Sequence, residues 1–255
     1  MSRKKIIAGN WKMNVKPSET AALVKAVAKA TKAYANKVEI VCCAPAIDVP
    51  AAVAAAKGTK VGVGTENCHW EDHGAFTGEI ATNMIVDAGA KYVITGHSER
   101  RQYFGETDET VNKRTTAAIK AGLTVMMCVG ETLAEREADI VEEVIGRQLK
   151  IGLKGLVAKD TAKLVIAYEP VWAIGTGKTA TPAQAQQVHA FIRKTLARLF
   201  GKKTAETIRI QYGGSMKPEN AAELLAKKDI DGGLIGGAAL KAESFAGIIR
   251  AAARA

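Results

Sequence analysis

Five short stretches of the sequence hold residue types that carry chemistry when they meet: Asn10-Trp11-Lys12, Gly96-His97-Ser98-Glu99, Glu169-Pro170, Gly213-Gly214-Ser215 and Gly236-Gly237. A carboxylate can take a proton, an imidazole can donate a hydrogen bond to an oxygen that gains charge, and a lysine supplies a standing positive charge. Glycines let backbone N–H groups come close to a phosphate. Pro170 biases Glu169 towards extended backbone and removes one donor, which suits a carboxylate presented from a fixed hinge. The residues after His97 read as a helix start, and the positive end of a helix favours an uncharged imidazole.

These stretches must be brought together by regular elements. Short β-branched and apolar runs occur at 5–8, 38–42, 60–64, 92–95, 124–129, 164–168, 209–212 and 232–235, and each gap is long enough for a crossover helix. Between them lie helix signals: Thr132 with Glu135 and Thr181 with Gln184 have capping-box spacing, and Pro182 stands at a first helical position. Val188, Ile192, Leu196 and Leu199 then form one apolar stripe. The alternation predicts an α/β fold in a single domain over residues 1–255, with eight βα units pointing to a closed barrel and a doubly wound open sheet as the alternative. In a parallel barrel all strands end on one face, and each of the five stretches follows a strand.

In this order, the stretches resemble the triosephosphate isomerase family. The match runs from residue 6 to 240 through Asn10-Trp11-Lys12, Gly96-His97-Ser98-Glu99-Arg100-Arg101, Tyr168-Glu169-Pro170-Val171-Trp172-Ala173-Ile174-Gly175-Thr176-Gly177, Tyr212-Gly213-Gly214-Ser215 and Gly236-Gly237-Ala238. The resemblance implies a single (β/α)8 TIM barrel and interconversion of dihydroxyacetone phosphate and D-glyceraldehyde 3-phosphate through an enediolate, with neither metal nor organic cofactor. It implies Glu169 as base, His97 as electrophile, and Lys12 and Asn10 as further catalytic groups. Substrate binding falls to Asn10, Trp11, Lys12, Gly175, Ser215, Gly236 and Gly237, with Ser98 and Glu99 in support. Residues 171–180 become a lid. The segment from Cys68 to Glu79 becomes a loop that enters a second copy of the chain, and the setting is a cytoplasmic homodimer. Ala239 and Thr95 depart from the family pattern, without removing a catalytic group.

Composition narrows the alternatives. Hydrophobic residues make up 47% and charged residues 24%, as in ordinary globular domains, and no apolar run approaches the length of a membrane span. The net charge of +10 is high, but bases and acids interleave along the chain and no aromatic-plus-basic stripe occurs, so a solvated basic surface is expected, with no nucleic-acid and no membrane partner. Cys42, Cys43, Cys68 and Cys128 have no C-x-x-C spacing and read as reduced structural thiols. His69 and His73 lack the pattern of a metal site, Gly177-Lys178-Thr179 lacks the first P-loop glycine, and position 100 is arginine where a nucleophile elbow needs glycine. Another phosphosugar barrel enzyme and a non-catalytic basic scaffold are the competing readings.

Overall fold

A computed structural model describes residues 3–174 and 179–255. Eight strands, β1 (Ile6–Asn10), β2 (Glu39–Ala44), β3 (Val61–Thr65), β4 (Tyr92–Thr95), β5 (Thr124–Val129), β6 (Leu164–Tyr168), β7 (Arg209–Tyr212) and β8 (Gly232–Ile235), pair in parallel and in chain order. The last closes on the first, with Ile6 opposite Gly232 and Gly9 opposite Ile235. The closed ring decides between the two α/β architectures: it is a barrel and not an open sheet. Five strands fall where the apolar runs predict them, and β1, β2 and β3 extend one or two residues further at their carboxyl ends.

Helices α1 (Pro17–Thr31), α2 (Val49–Ala56), α3 (Thr82–Asp87), α4 (Ser98–Tyr103), α5 (Asp108–Lys120), α6 (Leu133–Glu137), α7 (Val141–Gly152), α8 (Pro182–Phe200), α9 (Lys202–Ala205), α10 (Pro218–Leu225) and α11 (Ala242–Ala252) fill the connections. The predicted caps form: Thr132 accepts the Glu135 N–H at 3.3 Å and Thr181 accepts that of Gln184 at 3.2 Å. The α8 stripe is exposed at its end. Val188, Ile192 and Leu196 are buried, as is Thr195, but Leu199 is 40% exposed. At about 100° per residue Leu199 stays on the stripe, so its exposure goes with its place in the last turn of the helix, which ends at Phe200.

The two-residue period of a strand sorts side chains into two cores. Ile6, Ala8, Val41, Cys43, Ile94, Met126, Cys128, Val165, Ala167 and Leu234 fill the barrel, while the alternate residues pack outward on the helices. Continuing that period to the end of β1 and one residue past β6 and β8 aims Asn10, Glu169 and Gly236 at the barrel mouth, two residues after Ala8, Ala167 and Leu234. Position in the pleat, therefore, puts chemistry at the mouth. All four cysteines are free and buried; burial pushes the Cys42 and Cys68 thiols up to about 12. No helix among the described residues is long and apolar enough to cross a membrane.

Candidate active site

A cavity of about 630 Å³ opens at the carboxyl ends of the strands, lined by Asn10, Lys12, His97, Glu99, Glu169, Ser215, Gly236 and Gly237 among others. Most of the residues singled out in the sequence thus converge. Trp11 does not take part. Trp11 is fully buried in the outer core, facing away from the cavity, because it follows inward-facing Asn10 by one residue; its carbonyl instead accepts the Asn14 side-chain amide at 2.6 Å. Gly175 lies outside the described residues, as do residues 175–178 of the lid expected over 171–180.

Glu169 is 2% exposed, with both oxygens engaged. Its Oε1 is 2.8 Å from His97 Nε2, and its Oε2 accepts the Ser98 N–H at 3.1 Å. Burial by itself would raise the carboxyl pKa, but the His97 ring and the Ser98 N–H outweigh it and hold Glu169 below the usual carboxylate range. Glu169 is therefore ionised at neutral pH. Two glycines give it room. A Cβ at Gly130 would fall 1.8 Å from the Glu169 carbonyl oxygen, and one at Gly213 would fall 2.8 Å from Glu169 Cγ.

His97 caps α4, its Nδ1 accepting the Glu99 N–H at 3.2 Å. With Nδ1 an acceptor, the ring proton sits on Nε2, facing Glu169. The helix start thus acts as the sequence predicts, yet the ring's pKa moves the other way. Burial lowers it, but the Glu169 carboxylate more than offsets this, and the net direction is up. The sequence cannot show that the two groups touch.

Lys12 adopts a left-handed backbone with φ of 54°, a conformation that costs a non-glycine residue roughly 1 kcal/mol or more. Its N–H reaches the Asn10 side-chain oxygen at 3.2 Å, and its ammonium lies 2.6 Å from Glu99 Oε1, the supporting pair expected for Glu99. Gly236 stands opposite: a Cβ there would meet Lys12 Cε at 3.7 Å, and Gly237 faces open space. The glycine stretch after β8 therefore leaves room for an anion beside the ammonium.

Reading past the strand ends at only five of eight positions misses Glu131, which follows β5. Its carboxylate is wholly buried and accepts from Tyr168 Oη at 3.1 Å and from Trp172 Nε1 at 2.7 Å, with Arg136 at 3.5 Å. Burial raises its pKa despite those donors. Glu131 therefore ties the segment following Pro170 to the barrel. Glu131→Ala should take the acceptor from the buried Tyr168 hydroxyl, and with it the carboxylate contacts of Trp172 and Arg136, lowering stability by about 2–3 kcal/mol. Thermal denaturation is expected to show a midpoint lower by about 4–10 °C for a domain of this size; a change under 1 °C would show that Glu131 holds nothing in place.

A closed parallel barrel with an ionised carboxylate on an imidazole, and with a lysine beside a glycine-lined recess, defines an enzyme of the barrel class built to move a proton on a small anionic substrate. A family profile described as triosephosphate isomerase matches residues 5–252. The chain is 56% identical over 247 residues to the triosephosphate isomerase of Moorella thermoacetica and 58% identical over 252 residues to that of Geobacter metallireducens, each alignment covering 97% of this chain and 98% of the relative. The corresponding protein of Clostridium novyi is 55% identical over 247 residues. The chain belongs to the triosephosphate isomerase family, and it is an isomerase.

Proposed function

We propose that the cavity interconverts dihydroxyacetone phosphate and D-glyceraldehyde 3-phosphate, with Glu169 as the proton carrier. The observation that carries this reading is the Glu169–His97 contact of 2.8 Å on the wall of a cavity that also holds Lys12 and the glycine recess. A substrate carbonyl oxygen placed at His97 Nε2 takes over the hydrogen bond now made to Glu169. The freed carboxylate removes a proton from the carbon beside that carbonyl, forming an enediolate. His97 and Asn10 stabilise the oxygens, and Lys12 offsets their charge. The proton then returns to the neighbouring carbon, while the hydroxyl proton of the first carbon passes by way of the His97 ring to the former carbonyl oxygen, which leaves the product carbonyl on the first carbon. Ser215, Gly236 and Gly237 hold the phosphate through backbone N–H groups. Ser98 positions Glu169, and Glu99 positions both Lys12 and His97. A coupled assay of glyceraldehyde 3-phosphate isomerisation tests this directly; absence of turnover with well-folded protein would remove it.

The whole chain, residues 1–255, acts as one domain on this reading, in a reducing cytoplasm that suits four free thiols. It works as a homodimer, for which the single chain offers three supports. Residues 71–79 are all exposed, including Phe76 at 44%. Next to the catalytic cavity lies a recess of about 350 Å³, lined by Lys12, Glu66, Asn67, Glu99 and neighbours. Glu66 Oε1 and Asn67 Oδ1 are buried there without a partner, and burial pushes the Glu66 carboxyl up to about 8. Thr77 from a second copy supplies the missing polar contact.

Trp70 is not part of that exposed reach: it stacks on His69 at 4.2 Å and lies beneath Lys113 and Arg114 of its own chain. Only 71–78 should therefore be exchanged for a short polar turn. The variant is expected to sediment as a monomer with kcat reduced on the order of 100-fold, because Lys12 loses support from across the interface. A monomer with full activity would limit the loop to assembly, and a persisting dimer would place the interface elsewhere.

A further inference from the structure

Charges that alternate along the chain are sorted by the fold. The ring helices run antiparallel to the strands, so each ends on the face where the strands begin. Acids occupy first turns, as with Glu19, Asp108 and Glu142, and bases occupy last turns, as with Lys29, Lys120 and Arg250, the placement that a helix dipole favours. In a barrel these preferences add up across one face. The segments entering the eight strands (3–5, 31–38, 56–60, 87–91, 120–123, 152–163, 200–208 and 225–231) contain sixteen Lys and Arg against five Asp and Glu. That balance of +11 exceeds the +10 of the entire chain.

The acids on this face are largely occupied. Asp229, Asp231 and Glu206 pair with Arg3 or Arg193, and Asp160 accepts the Val157 N–H at 2.9 Å. The lysines are not: thirteen of the fifteen are exposed, and Lys12, at the opposite end of the barrel, is the one lysine in an ion pair among the described residues. Every entering segment contributes at least one, among them Lys4, Lys60, Lys91, Lys159, Lys203 and Lys228.

We propose that this face, opposite the catalytic mouth, docks on an anionic lipid bilayer surface, a partner that the interleaving of bases and acids along the sequence argues against. A plane can meet lysines from all eight segments at once, whereas a nucleic-acid rod reaches only those along one diameter. Fifteen of the sixteen cations are lysines, compact point charges that attract phosphate headgroups without bidentate geometry. The aromatic residues of these segments, Tyr34 and Phe200, pack on the core and offer no platform for bases. The longest segment presents Val157, 51% exposed, between Lys154 and Lys159, an apolar side chain suited to shallow entry among headgroups, while Leu156 beside it packs on the core.

The test is cosedimentation with vesicles of phosphatidylcholine alone and of phosphatidylcholine mixed with phosphatidylglycerol. Binding only to the mixed vesicles is expected, weakening strongly as salt rises to ~0.15 M and beyond. Each lysine near an anionic leaflet raises partitioning about five-fold, so combined Lys57→Glu, Lys60→Glu, Lys91→Glu and Lys228→Glu should reduce it by 100-fold or more. Isomerase turnover should stay unchanged, which also certifies folding. Val157→Ser, which changes no charge, should weaken binding without altering the salt dependence. No binding to phosphatidylglycerol vesicles at low salt, or equal binding by the charge-reversed protein, would overturn the proposal. So would duplex DNA that stays bound at salt concentrations releasing the vesicles, since nucleic acid would then be the favoured partner.

Discussion

Glu169→Gln is expected to lower kcat by about 10²-fold or more, roughly 3 kcal/mol of transition-state stabilisation, while a phosphate-bearing inhibitor still binds. The amide oxygen can accept the Ser98 N–H as Oε2 does, at the cost of the His97 hydrogen bond, since the amide NH2 then faces the Nε2–H; one lost contact should not unfold the site. It cannot take a proton from carbon. A second signature separates loss of the base from a structural defect. The carboxylate is what raises the His97 pKa against burial, so NMR titration of the imidazole should show that pKa falling in the variant. In the unsubstituted protein the Glu169 pKa is depressed, so the stability it contributes is present above the ordinary glutamate pKa and is lost as pH falls through the folded value. Glu169→Gln should flatten that acid-side loss. A change in KM alone, or an unmoved His97 titration, would take Glu169 out of the proton-carrying role.

Lys12→Met should reduce kcat/KM by about 10³-fold and weaken an anionic enediolate analogue by at least about 10²-fold, because the ammonium acts on bound substrate and on the transition state alike. Stability should barely respond. The Lys12 and Glu99 side chains are 29% and 38% exposed, and pairs so open to water contribute about 1 kcal/mol or less. Methionine also keeps the unfavourable left-handed φ, so no strain is relieved. Calorimetry of the analogue alongside thermal denaturation distinguishes the outcomes: unchanged affinity would deny Lys12 its electrostatic part, and a large loss of midpoint would make it a structural residue.

Much of this was legible in the sequence because a barrel turns chain order into spatial order. Apolar runs mark the strands, the strand period aims the next inward residue at the mouth, and Asn10, Glu169 and Gly236 follow by counting. What counting cannot reveal is contact between distant segments. His97 and Glu169 are each readable, but their hydrogen bond, and with it the raised imidazole pKa, exists only once β4 and β6 are placed around the ring. Glu131 and Glu66 stand in the connections after β5 and β3, where a carboxylate looks like any solvated one until burial is known. Trp11 shows the reverse error: its neighbours are in the site, but one residue of pleat turns it into the outer core. The segregation of charge between the two barrel ends is equally invisible to a window that slides along the chain.

The glycines at 130 and 213 flank Glu169, and a side chain on either would collide with its backbone or Cγ. In evolutionary terms these two positions are locked by their neighbour. A lineage can replace surface lysines or exchange core aliphatics in single steps, but adding even one methyl at either glycine requires Glu169 to move first, and a displaced base is selected against before any compensation can arise. On the proposed mechanism the glutamate thus extends its own constraint to two neighbouring glycines, and a residue held invariant in such a barrel need not itself act on the substrate.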